Sequence, residues 1–275
     1  MSIRIQTSTN QTVAATFLQF PGGERHVQVE APKDLGLVQT INLRANLNSS
    51  NDIMDYLLLE NALFKLKPDL KIDLELPYLP YARQDRVCST GQAFSLELMA
   101  KLLLLNPKNS IKVWDCHSQV GLNLTGAINI APEKIIANSP QLLNELNHEN
   151  AVLIVPDKGA IKRCSEIANA IGIKQMITCE KVRNPATGKI SHTTVLADDL
   201  TGKTAIITDD ICDGGMTFIG IANALKKVNT KRILLYVTHG IFSKGINVFD
   251  GLIDHIYTTD SFPQTSNEKL TVINL

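Results

Sequence analysis

The chain reads as an α/β protein with mainly parallel sheets flanked by helices, and three observations predict it. Short apolar runs at residues 72–76, 111–114, 152–155, 205–208 and 233–237 alternate with helix-length stretches at 53–66, 94–105 and 218–228. Strands separated by helices are the pattern of βαβ units. The runs at 152–155 and 205–208 are unbroken, aliphatic and largely β-branched, as expected of strands buried on both faces, so a sheet with helices on both sides is expected. Residues with chemical potential fall just after these runs, at the sheet edge where open α/β folds bind ligands.

Taken in order, the first such segment is PYARQDR at 80–86, after the strand at 72–76. Arg83 offers a planar fork suited to a phosphate or an adenine face, and Gln84 both donates and accepts, as a purine edge requires. KVWDCHSQ, from 112 to 119, ends a strand with Asp115 and His117. The stretch at 131–145 supplies a crossover, and two units are expected at residues 1–135 and 136–275. AVLIVPDKGAIKR, from 151 to 163, is a buried strand, a turn with Asp157 and Gly159, and a helix starting near Ala160; Asp157 is placed to cap that helix. Residues 179–189, CEKVRNPATGK, are polar and turn-rich and are expected to form a mobile loop.

The most informative stretch is TAIITDDICDGGMTFIGIANALKK, residues 204–227. A strand, an acidic pair, a glycine turn and a helix with Phe218, Ile221, Ala222 and Leu225 on one face follow without interruption. Gly214 and Gly215 permit a tight turn and close backbone approach, and the N–H groups there and at the helix start favour an anion. This turn therefore reads as a phosphate cradle. Asp209 and Asp210 are poor phosphate partners but suit vicinal sugar hydroxyls or a hydrated cation. Phosphate and diol together point to a pentose phosphate. The turn is neither a GxxxxGK[ST] loop nor a GxGxxG dinucleotide turn.

Bulk properties narrow the function classes. The chain has 275 residues, 44% hydrophobic, with 27 basic and 27 acidic residues and no formal net charge, so no basic excess argues for nucleic acid or an anionic membrane. Five scattered cysteines without a CxxC pair suit a reducing cytoplasm. No apolar run approaches the length of about 20 residues that spans a bilayer, and the start lacks the apolar core of a signal peptide.

Residues 209–217 resemble the phosphoribosyl diphosphate loop of type I phosphoribosyltransferase folds, and PYARQDR resembles the ATP signature of one family with that fold, the ribose-phosphate pyrophosphokinases. The segment around His117 is similar to the family's LDLHxxQ, and that around Asp157 to its SPDxGGxKR turn. EKVR resembles the start of its catalytic loop, and FPGGERHVQV at 20–29 resembles its FxDGExxxxI. The resemblance implies two phosphoribosyltransferase-like domains, each a mainly parallel sheet flanked by helices. It implies ATP bound by Phe20, Glu24, Arg83, Gln84 and His117, and Mg2+ near His117 and Asp157. The 5-phosphate of ribose 5-phosphate would lie on Asp213, Gly214, Gly215, Met216 and Thr217, with its ribose at Asp209 and Asp210. Lys181 and Arg183 would act on the transferring group, with His117 contributing to catalysis at the magnesium-ATP site, and the chain would form a homo-oligomer, a dimer or a hexamer. Phe20 and Glu24 read equally well as a hairpin turn and strand.

The chain departs from the family's pattern at Gly214, usually Thr or Ser, at Met216, commonly Gly, at Gly22, usually acidic, and at Ala160, where a second glycine is usual. VCSTGQAFS, residues 87–95, lacks the basic residues that help many members bind regulatory anions, which predicts weak control by phosphate or ADP. A phosphoribosyltransferase, which needs no PYARQDR, and a non-catalytic regulatory relative are the alternatives; the second is expected to have lost His117 or the loop cations, all of which are present.

Overall fold

The computed structural model describes residues 3–30, 37–183 and 190–275, with backbone alone at 181–183 and 190–192. The chain forms two compact units, Met1–Ile130 and Ala131–Leu275. Residues 131–145, read from sequence as a crossover, include one helix and most of a second, and the second packs on the first strand of the second unit.

The first unit runs β1 (Ile3–Thr7), β2 (Ala14–Gln19), β3 (Arg25–Glu30), β4 (Thr40–Ala45), α1 (Ser50–Leu66), β5 (Lys71–Leu76), α2 (Ser95–Leu103), β6 (Ser110–Trp114), α3 (Gln119–Thr125) and β7 (Ile128–Ile130). Five strands are ordered β1-β4-β5-β6-β7, with β1 antiparallel and the rest parallel. Strands β2 and β3 form a separate antiparallel hairpin. Ser49 caps α1 by accepting from the Asp52 N–H, and the helix buries Tyr56, Leu59 and Leu63.

Here the structure corrects the expectation of helices on both faces. Strand β5 alternates strictly: Ile72, Leu74 and Leu76 are fully buried, whereas Asp73 and Glu75 are half-buried. Successive parallel strands step in one direction, and right-handed crossovers then place α1, α2 and α3 on one side, where their apolar residues share a core with Ile41, Leu43, Ile111 and Val113. The opposite face carries Arg44 5.7 Å over the Trp114 ring and Lys112 3.5 Å from Glu75. A second departure from surface patterning is Lys108, whose Nζ lies 2.9 Å from Glu60 with both side chains almost wholly buried. Tyr56 donates to the same carboxylate, and burial together with that charge pushes its phenol far up.

The second unit runs α4 (Pro132–Ala137), α5 (Pro140–Asn147), β8 (Ala151–Val155), a 3-10 turn (Lys158–Ala160), α6 (Ile161–Ile171), β9 (Met176–Arg183), β10 (Ile190–Val195), β11 (Thr204–Cys212), α7 (Met216–Lys227), β12 (Arg232–Gly240), a 3-10 turn (Ile246–Phe249), β13 (His255–Thr259) and β14 (Leu270–Ile273). The sheet order is β10-β9-β8-β11-β12-β13-β14, parallel except for β10. Every residue of β8 is buried, as are Ala205 to Thr208 of β11 and Ile233 to Gly240 of β12. These strands are covered on both faces, as their unbroken apolar runs require. Strand β11 is longer than the apolar run: it continues through Asp209 and Asp210 to Cys212, paired with β12 to its last residue.

Candidate active site

In the first unit, the structure brings PYARQDR and DCHSQ together. Gly121, in the first turn of α3, is what permits it: a Cβ there would lie 2.7 Å from the Leu79 side chain and 3.2 Å from the Cys116 sulfur. Asp115 takes φ +42 just after β6, and its N–H donates to Ile130, turning the chain so that His117 is exposed. The carboxylate joining the segments is Asp85, which the sequence reading passed over. It is buried, 2.8 Å from Arg86 Nε. Arg86 holds its carboxyl below the usual range, Ser118 and the charge of His117 act in the same direction, and burial opposes them. Arg83 is exposed, while Gln84 Oε1 accepts from Ser95 at 2.6 Å at the start of α2. The region that lacks basic residues is a closed turn, with Gln92 Oε1 accepting from the Cys88 and Ser89 N–H groups.

Phe20 and Glu24 sit on the tip of the β2–β3 hairpin: the Phe20 N–H donates to Glu24 at 2.8 Å, and the Gly23 N–H returns to Phe20 at 2.8 Å. Both are exposed, and the Phe20 ring lies 5.6 Å from that of His26. A bidentate pair between Arg25 and buried Asp55 ties this hairpin to α1.

In the second unit, the candidate residues lie at the C-terminal edge of the sheet. Ile207 of β11 is level with Ile154 of β8, so Asp157 and the Asp209–Asp210 pair leave neighbouring parallel strands at the same end. Asp157 Oδ1 accepts from the Gly159 N–H at 3.0 Å and caps the 3-10 turn. The Asp210 N–H donates to Asp209, and the Ile211 N–H to Asp210. Gly215 has φ +79 and is the N-cap of α7, which has no side-chain cap. The helix's leading N–H groups thus keep their donor capacity. A Cβ at Gly215 would lie 2.7 Å from Phe249 Cζ and 3.4 Å from Val248, so the position requires glycine for space as well as conformation. Gly214 is different: its Cβ would meet the Lys244 stem at 3.7 Å. Beneath the loop, Cys212 is fully buried; burial and the charges of Asp209 and Asp213 push its thiol up to about 12, so it is no nucleophile at neutral pH.

Burial and the charge of Asp210 push the Asp209 carboxyl up to about 7, with Arg163 pulling the other way. Because its acidity is weaker in the folded state than in the unfolded one, Asp209 favours folding below the unfolded value and loses that contribution as pH rises through about 7. The ligand-free second unit should therefore melt on the order of 5 °C lower at pH 8 than at pH 5. Asp209→Asn should flatten that difference in thermal denaturation by circular dichroism.

Among the described residues no group of three or more His, Cys, Asp and Glu side chains is gathered for a metal.

Residues 179–183, expected in a loop, belong to β9, which pairs antiparallel with β10 from Arg183 opposite Ile190 to Cys179 opposite Val195. β8 ends beside Thr178, so the backbone of Lys181 and Arg183 continues beyond the end of β8. The side chains of Lys181 and Arg183, and residues 184–189, lie outside the described residues. Strand β10 packs on α7, where a Cβ at Gly220 would lie 3.1 Å from Thr193 Oγ1.

No helix among the described residues is long and apolar enough to cross a membrane. The description "Phosphoribosyl transferase domain" matches residues 125–249. The chain is 30% identical over 264 residues to ribose-phosphate pyrophosphokinase of Pyrococcus abyssi, covering 93% of this chain and 86% of that protein. It is 31% identical over 252 residues to the Mycoplasmopsis pulmonis protein of the same name, covering 88% and 75%. Its fold is that of a solved phosphoribosylpyrophosphate synthetase from Mycobacterium smegmatis, with a TM-score of 0.76, 22% identity, and coverage of 97% and 87%. Two phosphoribosyltransferase-like units, matched along almost their whole length, place this chain in the ribose-phosphate pyrophosphokinase family.

Proposed function

We propose that the protein transfers the terminal diphosphate of ATP to the anomeric hydroxyl of ribose 5-phosphate, forming 5-phospho-α-D-ribose 1-diphosphate and AMP. The observation that carries this reading is the extent of the similarity, which runs through both units and so includes PYARQDR together with the glycine loop. A phosphoribosyltransferase needs only the second of these.

The anomeric oxygen attacks the β-phosphorus; a new O–P bond forms, the bond from that phosphorus to the α–β bridging oxygen breaks, AMP departs, and the hydroxyl proton goes to solvent. No covalent enzyme intermediate is involved, so catalysis is positioning and charge neutralisation. Arg83, Gln84, His117, Phe20 and Glu24 are assigned to ATP. The acidic pair holds the ribose diol, and Asp213 to Thr217 receive the 5-phosphate on backbone N–H groups. His117 and Asp157 are the residues assigned to magnesium, which when bound would supply charge neutralisation. A homo-oligomer, dimer or hexamer, in the cytoplasm completes the reading.

The test is AMP release with ATP, magnesium and ribose 5-phosphate, against controls lacking each component and with no nucleobase present. Release that depends on all three supports the assignment. Diphosphate release that appears only with a base and the diphosphate sugar would replace it with a phosphoribosyltransferase. The closed, uncharged turn at 87–95 further predicts that steady-state rates change less than about twofold with added inorganic phosphate, since an anion site needs cationic or N–H donors. A steep phosphate requirement would refute that.

A further inference from the structure

The turn that follows β12 faces the glycine loop and brings one cation to it. The Ile241 and Phe242 N–H groups both donate to the Cys212 carbonyl, at 2.9 and 3.1 Å, so the turn hangs from the last residue of β11. The Gly245 N–H closes it onto Phe242 at 2.7 Å. Phe242 is held at φ +46 and is buried edge-on against Phe249, with ring centroids 6.4 Å apart. Phe249 is the residue that closes on Gly215. This clamp sets where Lys244 emerges: its Cδ and Cε lie 3.8 and 3.7 Å from the point where a Gly214 Cβ would be. The side chain is exposed, and among the described residues its ammonium makes no ion pair or hydrogen bond.

We infer that Lys244 binds the 5-phosphate of ribose 5-phosphate, supplying from the β12 turn the side-chain contact that Gly214 cannot make. The inference rests on the function proposed above and adds a specificity-determining residue to it. A stem packed against Gly214 brings its charge to the loop that leads into α7, whose N-cap makes no side-chain hydrogen bond among the described residues. A flexible ammonium is suited to meeting a phosphate as a point charge, beside backbone donors that provide the directional bonds. Asp213, Asp209 and Asp210 are the acidic groups nearby. A lysine serving them instead would affect the cation and nucleotide rather than the sugar phosphate.

The experiment compares the wild-type protein with Lys244→Met, which keeps the stem, and Lys244→Arg, which keeps the charge, by calorimetric titration with ribose 5-phosphate and by steady-state kinetics. We expect Lys244→Met to weaken ribose 5-phosphate binding and raise its KM about tenfold, as for loss of one charge-assisted contact. The KM for ATP and kcat should stay within about twofold, arginine should restore most of the loss, and added salt should shrink the difference between wild type and variant. Unchanged sugar-phosphate affinity in Lys244→Met, with the wild type active, overturns the role of Lys244 and leaves the proposed reaction standing. Equal loss for ATP and sugar phosphate, or a fall in kcat alone, also overturns it by assigning the lysine to the acidic residues. A wild-type protein that neither binds ribose 5-phosphate nor releases AMP removes the reaction and this inference together.

Discussion

Lys181→Ala is expected to reduce AMP release from ATP and ribose 5-phosphate by on the order of 10³-fold, with both substrates still bound. The reasoning is electrostatic. Transfer of a diphosphoryl group leaves charge on the phosphate oxygens and on the departing bridge oxygen. A cation that meets them only in the transition state lowers the barrier without tightening ground-state binding. Strand β9 carries the backbone of Lys181 and Arg183 past the end of β8, on the sheet edge that also bears Asp157 and the glycine loop. Rapid-quench single-turnover measurements would separate chemistry from product release. Undiminished turnover by Lys181→Ala would remove the hairpin from the mechanism.

Gly215→Ala is expected to damage the second unit severely. The added Cβ carries two penalties: a left-handed backbone at φ +79 and a 2.7 Å approach to the Phe249 ring. Phe249 is itself wedged against Phe242 and cannot retreat without disturbing the turn below. Strain and overpacking of this kind cost about 2–4 kcal/mol together, and whatever relieves them moves the cradle. We expect a loss of several degrees in thermal stability and at least about 100-fold in kcat/KM for ribose 5-phosphate, since small displacements of positioning groups carry such factors. Gly214→Ala is the control. It meets only the flexible stem of Lys244 at 3.7 Å and should stay within about 0.5 kcal/mol of wild type in stability. Similar behaviour of the two variants would show that the clamp does not determine the loop.

The second unit was the more legible of the two, because strands buried on both faces announce themselves as continuous aliphatic runs, and AVLIV and TAIIT do so. The first unit's sheet carried an equally plain signal in the alternation of Ile72, Asp73, Leu74, Glu75 and Leu76, which period-two reading assigns to a single covered face. Counting only the apolar residues obscured it. Lys108 and Glu60 were not legible, since both look like solvated surface charges until the fold closes over them. The glycine loop could be read because its residues are contiguous. What holds it, Phe242, Lys244 and Phe249, lies about 30 residues downstream and is joined to it by the parallel pairing of β11 with β12, a non-local contact that leaves no periodic trace. Asp85 stood inside a quoted motif, but its part, bridging to the His117 segment, depends on Gly121 letting α3 approach Leu79.

The hydrogen bonds from the β12 turn to Cys212 have a kinetic corollary. β11 and β12 occupy the middle of a seven-stranded sheet with cover above and below, so their amides should be among the last to exchange with deuterium, opening only when the unit unfolds. Fastened at that point, the sugar-phosphate cradle inherits the core's reluctance to open, and an arriving anion would meet donors already frozen in place.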